Sequence, residues 1–147
     1  MTVKSPLSFP VLLRNCWFGL NRSFRSKLIN LHLTPVQFTV LRCLYESNLS
    51  KMCQGELTHM ISSNKNNTSS ILKRMEKLGY IIRKQNDLDL RKNMIFLTKK
   101  GEELFIFTNE KASQVRSESI ELLTSKEQET IYNSLKKINH KLKQLNN

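Results

Sequence analysis

Glycine and proline are scarce. Four Gly and three Pro in 147 residues leave little material for long irregular loops or a low-complexity linker. Cysteine is also sparse: Cys16, Cys43 and Cys53 form no C-x-x-C pair and are odd in number. They suggest neither a disulfide framework nor a zinc ribbon. His32, His59 and His140 are scattered, with no H-x-x-x-H pair, so no metal site is expected. There is no apolar run of the roughly 18 residues a membrane span needs, so no membrane partner is expected. An apolar patch near Lys4 is interrupted by Pro6, Pro10 and Arg14 and makes a poor signal peptide. A reduced, cytoplasmic protein is the expectation. No G-x-S-x-G, P-loop or H-E-x-x-H occurs, so neither an enzyme nor a cofactor is expected.

What is abundant is positive charge, and it is unevenly placed. Of the net +12, residues 1–50 carry +5, residues 51–100 carry +7, and residues 101–147 carry none. A basic excess confined to part of a chain attracts polyanions, chiefly nucleic acid or an anionic membrane surface. The plainer alternative is a set of solvated lysines with no partner.

The length fits one domain with a real core, residues 1–147. Residues 9–31 read as a helix, because Leu13, Cys16, Trp17, Leu20, Phe24 and Leu28 recur every three to four positions. "LTPVQF" is a helix start: Thr34 caps, Pro35 takes the first helical position, and Gln37 closes a capping box. A short helix follows over 54–61, with Leu57, Met60 and Ile61 inward, and "SSN" breaks it. The next helix runs from Lys65 to about Leu78 and ends at Gly79, a left-handed cap. Two short helices joined by a tight polar turn make a helix-turn-helix. Residues 80–85 and 93–98 read as two strands with the charged tip "NDLDLRK" between them. The expected fold is mainly α with a small β-hairpin wing, a winged helix-turn-helix at 33–101 flanked by dimerisation helices at 1–32 and 102–147.

From Lys99 the pattern is helical again, marked by Leu104, Phe105 and Phe107. Thr124 and Glu127 form a second capping box. Ile131, Leu135, Ile138, Leu142 and Leu145 then step 4, 3, 4, 3, a narrow seam suited to helix pairing. That seam and the apolar first helix together predict a homodimer.

"NKNNTSS" (64–70) opens the second helix of the pair with short hydrogen-bonding side chains. Asn66, Asn67, Ser69 and Ser70 are groups that reach base edges in a major groove, and Lys65, Lys73 and Arg74 suit phosphates. Taken alone, the stretch also fits a polar cap and a solvated face.

From Leu33 to Gly101 the chain resembles the MarR family of bacterial winged-helix transcription regulators. The residues that carry the resemblance are "LTPVQFTVL", "GELTHMI" and "SSILKRMEKLGYIIRKQNDLDLRKNMIFLTKKG". The last stretch holds the wing pattern Asp89-Leu90-Arg91, then Leu97-Thr98, then Gly101, with Gly79 after the recognition helix. The resemblance implies a homodimeric repressor on a pseudo-palindromic site in double-stranded DNA. It implies that Arg91 enters the minor groove, that Asp89 orients it, and that Lys84 and Lys92 touch the backbone. Ser70 stands where many members carry Arg, so base preference does not carry over. A sequence-blind nucleoid-type binder and a winged-helix protein-interaction module are the alternatives.

Many members also respond to small phenolic or other anionic effectors. Trp17, Phe18, Phe38 and Tyr45 are candidate pocket residues, against the alternative that they are ordinary core aromatics. The sensing Cys of peroxide-responsive members is not matched by Cys16. Cys16 and Cys43 read as core thiols, and Cys53 lies near a helix start, where a thiolate would be stabilised.

Overall fold

The computed structural model describes residues 8–145. Most of the N-terminal patch weighed as a signal peptide, from Lys4 through Pro6, lies outside the described residues. The described residues form six α-helices and three strands: α1 (Phe9–Leu28), α2 (Pro35–Glu46), β1 (Lys51–Cys53), α3 (Gln54–Met60), α4 (Lys65–Lys77), β2 (Ile81–Gln85), β3 (Asn93–Leu97), α5 (Lys99–Ile120) and α6 (Ser125–Leu145). The fold is mainly helical with a small antiparallel sheet. By packing, the chain divides into two units, residues 1–112 and 113–147.

The first unit is built around one core. Leu28 of α1, Leu41 and Leu44 of α2, Leu57 of α3, Leu72 and Met75 of α4, and Ile95 of β3 are all essentially inaccessible. Each such side chain stabilises by about 1.5–3 kcal/mol over its exposed state. Phe38 takes Phe24 edge-on at 4.8 Å and stacks with Phe105 at 5.6 Å, tying α1, α2 and α5 together. Cys43 lies in this core, and burial holds its thiol above the ordinary range, so it packs as a small hydrophobe.

Local signals set the helix ends. The Thr34 amide donates to Gln37 Oε1 at 2.9 Å and the Gln37 amide donates to Thr34 Oγ1 at 3.2 Å, the expected capping box. In the second unit the Thr124 amide donates to Glu127 Oε2 at 2.8 Å and starts α6 in the same way. Gly79 has φ of 78°, a left-handed conformation that suits Gly, and it ends the α4 segment.

Three expectations need correction. The sheet has three strands in the order β1-β3-β2, not two, because Lys51–Cys53 pairs with the outer edge of β3. Met60 is exposed: α3 is only seven residues long, and Leu57 takes its one fully buried position. Cys16 is exposed as well and is no core thiol. Every residue from Phe9 to Leu20 is exposed, and among the described residues of α6 none is buried.

Candidate nucleic-acid interface

α3, a turn and α4 form the helix-turn-helix, and α4 has two faces. Thr68, Leu72 and Met75 are buried, while Asn66, Ser70, Lys73 and Lys77 are exposed at helical spacing on the other side. Lys65, Asn67 and Arg74 are exposed too, and Ser69 is half-buried. Two of the seven residues in "NKNNTSS" therefore belong to the fold. Asn64 is the cap, its Oδ1 accepting the Asn67 amide at 2.8 Å, and Thr68 is interior. The rest are available at the surface, and Asn64, Lys65, Asn66, Asn67 and Ser70 line a shallow open depression. Some of their capacity is already used. Asn67 Nδ2 donates to Ser63 Oγ at 2.9 Å, and Ser70 Oγ donates to the Asn66 carbonyl at 3.2 Å. The Asn67 amide is thereby oriented, with its carbonyl oxygen and one N–H left over.

The wing is fixed to this helix at three points. Arg83 of β2 lays its guanidinium on the Glu76 carboxylate, with Nε donating to Oε2 at 2.8 Å. The Arg83 amide donates to Oε1 of the same carboxylate at 3.1 Å. These hydrogen bonds hold the Glu76 carboxyl below the ordinary glutamate range. Lys100 Nζ donates to the Leu78 carbonyl at 2.8 Å, a cation at the negative end of α4. Thr98 Oγ1 donates to the Gly79 carbonyl at 2.7 Å and accepts the Gly101 amide at 3.0 Å. A Cβ on Gly101 would lie 2.1 Å from the Tyr80 carbonyl oxygen, so nothing larger than Gly fits. The Leu-Thr-x-x-Gly part of the motif is thus a packing device.

The tip of the wing is held by its own backbone. The Asn86 amide donates to the Lys92 carbonyl at 2.8 Å and closes the loop. Asn86 Oδ1 accepts the Leu88 amide at 2.9 Å, and Asp89 Oδ1 accepts the Arg91 amide at 3.1 Å. Asp89 thus fixes the backbone of Arg91 and also pairs with Lys92 at 3.8 Å. Arg91, Lys92 and Lys84 are exposed, Asp89 is half-buried, and Lys84 lies over the Phe96 ring at 5.8 Å.

A scan against protein families matches residues 33–92 to the MarR family. Over this region the chain is similar to the MarR family. A curated relative is the uncharacterized HTH-type transcriptional regulator YfiV of Bacillus subtilis, 26% identical over 110 residues, covering 75% of this chain and 68% of that protein. Among solved structures, AbsC, a MarR family transcriptional regulator from Streptomyces coelicolor, superposes with a TM-score of 0.85 at 20% identity over 95% and 99% of the two chains. The S. aureus MepR–DNA complex gives a TM-score of 0.84 at 20% identity over 92% and 98%. The fold is therefore the one seen in structures of MarR family regulators.

Of the effector candidates, Phe38 and Tyr45 both pack on Phe105, whereas Trp17 and Phe18 lie on α1. Phe38 is core, Tyr45 is exposed on one side with its ring 4.6 Å from Phe105, and Trp17 and Phe18 are exposed on α1. Among the described residues no ring contact joins Trp17 to Phe38 or Tyr45. Sequence reasoning missed Glu76, Arg83, Thr98 and Lys100 as the residues that aim the MarR wing. Thr98 was visible as a motif residue. The Glu76–Arg83 pair gave no signal, because seven positions spanning a helix end and a turn match no single-element spacing. Among the described residues no group of three or more His, Cys, Asp or Glu could hold a metal ion, and no helix is long and apolar enough to cross a membrane.

Proposed function

We propose that this chain is a homodimeric, sequence-specific DNA-binding repressor. The observation that carries the reading is the division of α4: one face is consumed by the core, and the other presents Asn66, Asn67 and Ser70 between Lys65, Lys73 and Arg74. Such a face offers donors and acceptors to base edges in the major groove, with cations placed for phosphates. Ser69, half-buried, borders that face. In the same arrangement Arg91 enters the flanking minor groove, its backbone set by Asp89, and Lys84 and Lys92 meet the sugar-phosphate chain. That S. aureus MepR was solved with DNA supports the reading.

Dimerisation is supported by apolar surface that has no cover within either unit. On α1, Trp17 is 63% exposed and Phe18 56% exposed. On α6, Ile131, Leu135, Leu142 and Leu145 stay exposed along one seam. Exposed apolar stripes along a helix mark interaction sites, and a second copy of the chain supplies the same apolar chemistry. Two reading heads then face half-sites about one helical turn apart, roughly 34–36 Å.

Affinity selection of genomic fragments tests the function. The wild-type chain should enrich a small set of promoter fragments over bulk DNA by about 10³ or more. Asn67→Ala should lose more affinity on an enriched fragment than on random DNA. Equal losses on both would make Asn67 a positioning residue and favour a sequence-blind binder. Sedimentation at micromolar concentration should give a dimer, and a monomer would overturn the account of the terminal helices.

A further inference from the structure

The tip of the wing carries two leucines that no feature of the fold explains. Leu88 is 97% exposed and Leu90 is 68% exposed, the first nearly as bare as in an extended peptide. A loop of this kind ordinarily takes Gly, Asn, Asp or Ser, and here the run is Asp87-Leu88-Asp89-Leu90. Scattered exposed leucines are common on protein surfaces. These two differ in being held. The Leu88 amide is bonded to Asn86 Oδ1, and Leu90 sits inside the turn closed by the Lys92 amide on the Asp89 carbonyl at 2.9 Å. The next residue is Arg91, whose amide is bonded to Asp89 Oδ1. The backbone that presents the leucines is therefore the backbone that presents the arginine.

We propose that Leu88, assisted by Leu90, is an apolar wedge that enters the minor groove beside Arg91 and partly unstacks a base step, so that the protein bends the DNA it binds. The inference rests on the DNA-binding reading above and deepens it. Proteins that kink DNA from the minor groove combine cations that hold the groove with an inserted leucine, phenylalanine, isoleucine, methionine or proline. Both parts are present here on one hairpin: Arg91, Lys92 and Lys84 supply the charge and Leu88 the apolar point. The acids at the tip fit the same picture. Asp89 is engaged by Arg91 and Lys92, and the exposed Asp87 disfavours a tip that tracks phosphates. A point that seeks the groove floor has no such conflict. Base steps that unstack easily, such as TA and CA/TG, are the expected targets at the outer edge of each half-site.

Affinity is a poor readout for this device. Burying a leucine is favourable and unstacking a step is costly by a comparable amount, so removing both changes binding less than about fivefold. DNA shape is the direct readout. The full chain is bound to a promoter fragment recovered by affinity selection, with fluorophores at the two ends and 2-aminopurine at the step facing the wing. Wild-type protein should bend the fragment and raise 2-aminopurine emission. The double variant Leu88→Ser, Leu90→Ser should straighten the duplex by about 20° or more and abolish the emission rise. Its salt dependence should match wild type, because no phosphate contact is lost. Lys92→Ala should instead lower the salt slope by about one. A double variant that bends and unstacks the fragment as wild type does would overturn the wedge while leaving the regulator reading intact. A wild-type chain with no preference for the fragment over bulk DNA would remove the regulator reading, and the wedge with it.

Discussion

At its base the wing hairpin is pinned to the α4 segment, whereas at its tip it is held only by its own turn. The base uses Arg83 on Glu76, Thr98 on the Gly79 carbonyl, and a close approach of Gly101 to Tyr80. The tip uses two side-chain turns, at Asn86 and Asp89, and leaves Leu88, Leu90 and Arg91 to solvent. About 17 Å of strand separates the two regimes. The division fits a part that must be aimed by the fold and must meet a partner with its free end. Changes at the base should act on stability, and changes at the tip on binding.

The largest effect expected on that comparison is at Gly101. Gly101→Ala drives a methyl group into the Tyr80 carbonyl oxygen and should cost about 3 kcal/mol. A melting temperature lowered by roughly 10 °C would register it. A melt within a degree or two of wild type would show that the corner relaxes freely. Arg91→Ala should do the converse. Thermal stability should stay within about 0.5 kcal/mol of wild type, while promoter affinity falls about tenfold. Undiminished affinity at moderate salt would take the wing out of the binding reaction.

The Glu76–Arg83 clamp should give the smallest effect, because both partners are partly solvated. Glu76→Gln should lower stability by about 0.5–1 kcal/mol. The Glu76 carboxyl has its pKa lowered in the folded chain, chiefly by hydrogen bonds from Arg83. Its contribution is therefore complete above the ordinary glutamate range of about 4.3 and is lost as the pH falls through the lower folded-state value. Denaturant titrations across that interval should show the wild-type advantage over Glu76→Gln shrinking as the solution is acidified. An advantage that grows with acid would mean the clamp is not the source.

What could be read from the chain followed the range of the interaction responsible. Thr34 with Gln37 and Thr124 with Glu127 act over three residues, and both capping boxes stand as expected. Gly79, the two hairpin strands and the helix-turn-helix were legible for the same reason. β1 was not. Its three residues show no alternation, and they become a strand only by pairing with β3, some forty positions later. The misplaced Met60 has a related cause: a 3.6-residue period marks an apolar stripe, and the neighbouring elements decide how wide a stripe is covered. For the interface, the sequence marked which side chains are polar, and the structure shows which of them the fold consumes. Asn64 and Thr68 are spent on the cap and the interior.

The corner at Thr98, Lys100 and Gly101 has a mechanical consequence. All three residues lie at or just before the first turn of α5, and all three grip the stretch from Leu78 to Tyr80 that ends the α4 segment. The joint contains no slack loop. A torque applied along the start of α5 is therefore delivered to α4 as a change in pointing direction, with little of it dissipated on the way. The first turns of α5 work as a lever arm, and substitutions there should re-aim α4 without changing any side chain on its exposed face.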